Sequence, residues 1–398
     1  MSPERPTKLL HVIPSIASAR GGPSVVVRTM ARYLVERGLE VHVATTDDNG
    51  RDRFRVGQDL PIREDGVAYW IFPRQTRFYQ MSFPLTRWLR KHLCDYDLVH
   101  IHALFSYSSV ATALLAKSAG VPYLIRPLGT LNQWGMRNRH RLLKKMSFRL
   151  IESRILRGAA RVQFTSEQEA LEARLLGVGH NAVVIANPVE PFPLGVIRGG
   201  FRAGHPELDN RTIVLFLSRL DAKKGLDLLL PAFASVRRRH PDAILVIAGD
   251  GDAMFVADLK EQTRRLGIDS GIIWAGFLRG EAKNAALADA DVFVLPSYSE
   301  NFGVAVVEAM GAGIPVIVSN QVGIHREVSG AEAGLVVQCL PEQLEAALTR
   351  MIADRQTRMK MGQNARELAF QFAPGIVTDQ LIETYASIRN SHGDPIAA

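Results

Sequence analysis

The segment DVFVLPSYSENFGVAVVEAMGAGIPVIV, residues 291–318, runs from one apolar stretch through a polar loop and a helical pattern into another apolar stretch. Asp291–Pro296 reads as a buried parallel strand, because its apolar residues are continuous rather than alternating. Gly303–Met310 reads as a short helix, with Ser299 and Asn301 before it as good capping types. Within this frame Glu300 and Glu308 stand eight positions apart. On one ideal helix that spacing is a rotation of about 80°, so two helical glutamates would not share a face. Both address one ligand only if Glu300 sits in the strand-to-helix loop and Glu308 a turn or so inside the helix. That is where open α/β sheets bind nucleotides. A carboxylate only accepts hydrogen bonds and can hold a vicinal diol with two of them.

Outward from this segment the pattern repeats. RTIVLFLSRL, DAILVIAGDG, SGIIWAGFL and IPVIVSN read as strands, and GLDLLLPAFASVRRRHP as a helix closed by Pro241. In the first half, KLLHVIPS, LEVHVATT, YDLVHIHA, VPYLIRPLG, ARVQFTSE and AVVIANPVE read as strands with helical stretches between them. Strand–helix alternation implies parallel sheets and an α/β class. A length of 398 residues suits two domains. The expected boundaries are 1–189 and 190–372, with 373–398 a C-terminal helix packing back on the first domain plus a disordered tail.

No apolar run reaches about 18 residues, so no transmembrane helix is expected. MSPERPTKLLHVIPS lacks the long apolar core of a secretory leader. Cys94 and Cys339 are far apart, and a reducing cytoplasm is the simplest setting. Charge is unevenly divided. Residues 1–189 carry 27 Lys and Arg against 15 Asp and Glu, a net of +12, whereas the remainder has a net of −4. The first half therefore points to an anionic partner: a membrane surface, nucleic acid or a phosphate-bearing substrate.

Several residues have the right chemistry for such partners. Arg219 and Lys224, in SRLDAKKGLDLLL, stand where a strand turns into a helix, and two cations beside helix N–H groups make a diphosphate site. Lys223 reads as a bystander. Gly21 and Gly22 lie between the first strand and first helix, where glycine lets backbone amides approach a phosphate closely. His100 and His102 alternate along a strand and so point to one side, and no third metal ligand follows from spacing. Residues 137–161 carry nine Lys and Arg against Glu152, interleaved with large apolar side chains. A basic amphipathic helix of this kind suits an anionic leaflet, with Arg139, Arg141, Lys144 and Lys145 as its leading cations.

The segment around Glu300 and Glu308, with EAMGAGIPVI following, resembles the E-x7-E motif of the retaining glycosyltransferases of family 4, glycosyl transferases group 1. SRLDAKKG is similar to their S-R-x-x-x-x-K-G motif. The resemblance covers nearly the whole chain and is weakest over 50–95. It implies a GT-B fold of two Rossmann-like domains facing across a cleft. It also implies a nucleotide diphosphate sugar donor, linked to UDP or GDP, and no cofactor or metal. Glu300 would contact the donor sugar and Glu308 the ribose; Arg219 and Lys224 would hold the diphosphate and stabilise the leaving group. Asn301, Phe302 and Gly303 would line the donor site, Phe277 and Leu278 the base pocket, and Gly21 and Gly22 the phosphates. His102, with His100 beside it, would lie near the acceptor. Phe277 could as easily be core. Asp250-Gly-Asp252 imitates the metal-binding D-x-D of another glycosyltransferase fold, but following a buried strand it reads as structural.

The expected activity is retaining transfer of a sugar to a hydroxyl of a lipid-linked or polysaccharide acceptor, at the inner face of the cytoplasmic membrane. A relative using a soluble sugar phosphate or inositol phosphate is the nearer alternative. A nucleic-acid-binding protein is the distant one, and no recognised binding motif supports it.

Overall fold

In a computed structural model of the chain, the described residues are 6–17, 21–50, 52–54, 60–77, 79–131 and 141–393. They divide into two compact units, one formed by Met1–Pro188 with Pro374–Ala398 and the other by Val189–Ala373.

The first unit holds strands β1 (Lys8–Val12), β2 (Glu40–Thr46), β3 (Asp48–Asn49), β4 (Asp52–Arg53), β5 (Ile62–Glu64), β6 (Val67–Phe72), β7 (Leu98–His102), β8 (Tyr123–Arg126), β9 (Arg161–Phe164) and β10 (Ala182–Val184). Eight of them form one sheet in the order β10-β9-β8-β7-β1-β2-β6-β5. All neighbours are parallel except β5, which runs antiparallel to β6. β7 and β8 are buried along their whole length, as strands covered on both faces by helices must be. The β5–β6 hairpin lies in the region where the family resemblance is weakest. Its turn is Asp65-Gly66, with φ of 50° and 77°, the left-handed pair that a two-residue hairpin loop requires. The helix Pro374–Gly393 belongs to this unit and packs on the helix Gly22–Glu36, where Arg37 pairs with Asp379 at 3.1 Å.

The second unit holds β11 (Thr212–Leu217), β12 (Ala243–Ala248), β13 (Ile272–Gly276), β14 (Val292–Leu295), β15 (Val316–Ser319) and β16 (Gly334–Val337). They form a wholly parallel sheet in the order β13-β12-β11-β14-β15-β16. The chain leaves β11 toward β12 on one side and returns through β14 on the other. The loops after β11 and β14 therefore flank the point where strand order reverses, and a crevice forms there. Gly225 lets them approach: its φ is 75°, and a Cβ would collide with the Pro296 carbonyl oxygen. Among the described residues no helix is long and apolar enough to cross a membrane.

Candidate nucleotide-sugar site

Lys224 closes a short 3-10 turn, Ala222–Lys224, whose first residue follows the capping carboxylate of Asp221. This turn aims the Lys224 ammonium across the crevice into an ion pair with Glu300. Glu300 itself is fixed by backbone: its N–H donates to the Gln321 carbonyl at 3.0 Å, and its carbonyl accepts from Gly323 N–H at 2.8 Å. The loop carrying Glu300 is thus stitched to the loop after β15. Burial works to raise the Glu300 carboxyl, but Lys224, then Lys223 and Arg219, more than offset it and hold the group below its ordinary value. Lys223 is therefore part of the site's electrostatics, not a bystander. Its own ammonium is lowered by burial and by Lys224, and its carbonyl accepts from Tyr298 N–H at 2.8 Å. Arg219 is exposed and, among the described residues, has no hydrogen-bond or ion-pair partner.

The helix following Glu300 is Val304–Gly311, and its cap position falls on neither Ser299 nor Asn301. The cap position is Gly303, with φ 101° and no side-chain cap. A Cβ there would sit 3.1 Å from Val306 Cγ2 and 3.2 Å from Val322 Cγ1. Glu308 lies inside the helix, and its Oε1 is 2.6 Å from the Lys283 ammonium. Lys283 comes from the helix Gly280–Asp289, and no sequence motif points to it. Phe302 departs from expectation: its ring is buried edge-on against Phe372, centroids 5.5 Å apart, so its side chain is core. Phe277 is 71% exposed on the loop after β13, so the core alternative for it fails; Leu278 beside it is half-buried. Asp252 accepts from Met254 N–H at 3.0 Å and caps the helix Ala253–Arg265, and Asp250 binds the Gly251 N–H.

In the first unit Gly21 has φ 82° and precedes the helix Gly22–Glu36, and among the described residues nothing lies within 4 Å of where a Cβ would be. His100 and His102 do share one side of β7, but both are completely buried. Neither exposes surface to solvent in this structure, so the acceptor contact expected at His100 and His102 finds no open ring atom. His100 Nδ1 is 2.8 Å from the Tyr385 hydroxyl on the C-terminal helix. A third histidine, His11 of β1, pairs in register with His100, and its Nδ1 is 3.1 Å from His102 Nε2. Candidate ligand atoms of the three lie within 4.8 Å of one another. The sequence spacing of His100 and His102 could not reveal this partner, since it comes from another strand. Burial, and then the charge of buried Arg126, lowers His11 to about 3, and burial and neighbouring charges lower the other two. That guanidinium opposes a second cation among the rings.

The basic segment is not one regular helix. Arg141–Ser147 leads into a π turn, Phe148–Glu152, and then Ser153–Gly158. Arg139 lies outside the described residues, as does the Arg141 side chain. Lys145, Arg149, Arg154 and Arg157 are exposed, as are Met146, Leu150 and Ile151, while Lys144 is half-buried. Glu152, the lone acid, is fully buried, and burial pushes its carboxyl up to about 7. The outward face is therefore more basic than composition alone suggests.

Residues 200–368 match the family described as Glycosyl transferases group 1, and residues 21–188 match the Glycosyl transferase 4-like domain. The chain is 26% identical over 371 residues to an uncharacterised glycosyltransferase of Methanocaldococcus jannaschii, covering 88% of this chain and 90% of that protein. It is 26% identical over 393 residues to the D-inositol 3-phosphate glycosyltransferase of Corynebacterium urealyticum, covering 92% of this chain and 91% of that protein. HepE from Anabaena, solved in complex with UDP, matches with a TM-score of 0.78 at 21% identity, covering 96% of this chain and 100% of HepE.

Proposed function

We propose, for a chain that belongs to the group 1 glycosyl transferases of family 4 and carries their GT-B fold, that it moves a sugar, with retention of configuration, from a nucleoside diphosphate sugar to a hydroxyl of a lipid-linked or polysaccharide acceptor. The observation that carries this reading is the Lys224–Glu300 pair at the strand reversal of the second unit, with Arg219 and Lys223 beside it. Cations gathered there suit a diphosphate without a metal ion. As the sugar–oxygen bond to the diphosphate breaks, Arg219 and Lys224 stabilise the charge that grows on the leaving group. Glu300 accepts from sugar hydroxyls, Glu308 from the ribose, and Phe277 with Leu278 covers the base. The acceptor oxygen attacks from the face the diphosphate leaves, and a donor phosphate oxygen takes its proton. No protein nucleophile is required.

Calorimetry under excess chelator tests the donor site. Glu308→Gln should weaken binding of the free nucleoside diphosphate, since the ribose is present with or without the sugar. Glu300→Gln should spare that ligand and weaken the intact donor. A reversed pattern means the two roles are exchanged; donor binding that vanishes on chelation and returns with magnesium or manganese overturns metal independence.

A second reading of the acceptor, a soluble sugar phosphate or inositol phosphate, is favoured by the likeness to the inositol 3-phosphate enzyme. For the lipid-linked reading, peripheral attachment at the inner face of the cytoplasmic membrane is supported by the exposed Lys145, Arg149, Arg154 and Arg157 among Met146, Leu150 and Ile151. Each cation near an anionic leaflet contributes about 1 kcal/mol, screened by salt. Replacing the four with Gln should abolish flotation with anionic vesicles at physiological salt. Flotation at the wild-type level would leave a structural segment with solvated arginines.

A further inference from the structure

We infer that Lys283 is a positioning residue that lets Glu308 select ribose, and so makes the site discriminate against 2′-deoxynucleotides. This rests on the reading of Glu308 given above and extends it to a residue that no motif contains. Lys283 Nζ lies 2.6 Å from Glu308 Oε1, and the two side chains are 26% and 22% exposed. At that burial the pair is shielded more than a surface salt bridge and less than a core one.

The geometry gives Lys283 a specific task. Lys283 lies near the start of the helix Gly280–Asp289, which follows directly on the loop that carries Phe277 and Leu278. Glu308 comes from the helix Val304–Gly311, on the other side of β14 in the chain. The ion pair therefore joins the helix after the base-side loop to the helix that carries the ribose-side carboxylate. A carboxylate that must bind a diol near a diphosphate meets repulsion from the ligand's own phosphates. Lys283 offsets this, and its single contact at Oε1 fixes the orientation of the group. Each carboxylate oxygen has two acceptor sites, so the second site of Oε1 and both sites of Oε2 stay open to the two ribose hydroxyls. The Lys224–Glu300 pair does not substitute for it, because that lysine is held across the crevice by a separate turn.

The test is calorimetry of UDP and GDP against their 2′-deoxy counterparts, on the wild-type protein and on Lys283→Met and Lys283→Arg. Losing a charge-assisted contact that orients the acceptor should weaken the ribonucleotide about tenfold. The 2′-deoxynucleotide, which cannot use both acceptor positions, should weaken far less, so discrimination should shrink in Lys283→Met and largely return in Lys283→Arg. A merely structural lysine would weaken both ligands alike, and equal weakening overturns the inference. So does undiminished discrimination in Lys283→Met, with the wild-type reading of Glu308 left standing. If the wild-type protein binds ribo- and deoxynucleotides equally, it is the ribose role of Glu308 that fails, and this inference falls with it. Thermal melting of each variant, unchanged at a partly exposed helix site, separates these outcomes from loss of fold.

Discussion

Arg219→Ala and Lys224→Ala should each lower turnover about a hundredfold or more, corresponding to roughly 3–4 kcal/mol of lost transition-state stabilisation. The two should not behave identically. Arg219 is exposed and unpartnered among the described residues, so its removal takes away one cation and little else. Lys224 is buried and paired with Glu300, so its removal also leaves that carboxylate without its main counter-charge. Glu300 is held below its ordinary value against the pull of burial, chiefly by Lys224. In Lys224→Ala the carboxyl should therefore rise, and the acid limb of the rate profile should move to higher pH. The Arg219 variant should show a smaller move of the same sign. Lys224→Arg should recover part of the rate, since it keeps the charge but not the compact ammonium. Steady-state rates and pH profiles, with thermal melts to follow folding, read all of this. Near-wild-type rates in both alanine variants would remove the diphosphate assignment.

Much of this site is legible in the sequence because it is built from local rules. A buried strand, a polar loop and a short helix already put Glu300 and Glu308 at different levels of one crevice, and a cation pair after β11 falls opposite them once the sheet is parallel. What the sequence hides, it hides for physical reasons. Lys283 sits in a helix of ordinary composition, and only the packing of that helix shows what its ammonium meets. His11 is 91 residues from His102, and only strand register brings them together. Phe302 follows Glu300 by two positions, yet its ring turns inward because a core position opens beside Phe372. The cap position falls on Gly303 because its φ of 101° is one that residues with a Cβ rarely adopt, and a Cβ there would also press on Val306 and Val322. The Asp65-Gly66 hairpin is a different case. Asp-Gly between two strands is a strong turn signal, and it stands in plain view in a region that the motifs do not cover.

The first unit should lose stability steeply below about pH 6.5, where an unfolded histidine begins to take up a proton. His11, His100 and His102 are fully buried, and burial lowers each of them, His11 to about 3. A histidine whose folded value is depressed stabilises the fold above its unfolded value and loses that contribution as pH falls, because only the unfolded chain binds the proton. Three such groups together would remove about 4 kcal/mol per pH unit. Glu152 works in the opposite direction. Its carboxyl is pushed up to about 7 in the folded state, so it adds stability as pH falls from there toward the ordinary carboxylate value. That returns about 1.4 kcal/mol per unit. Glu169 is raised and His42 lowered, and these two oppose one another. The histidines win on number, leaving a net loss of about 2–3 kcal/mol per unit near pH 5.5. Denaturant titration at pH 7.5, 6.5 and 5.5 measures it. Trp70 and Trp88 lie in the first unit, so Trp274→Phe removes the tryptophan signal of the second. His102→Gln should flatten the slope by about one proton, and Glu152→Gln should steepen it. A first unit equally stable at pH 7.5 and 5.5 would mean that the three rings are not held neutral in a closed core.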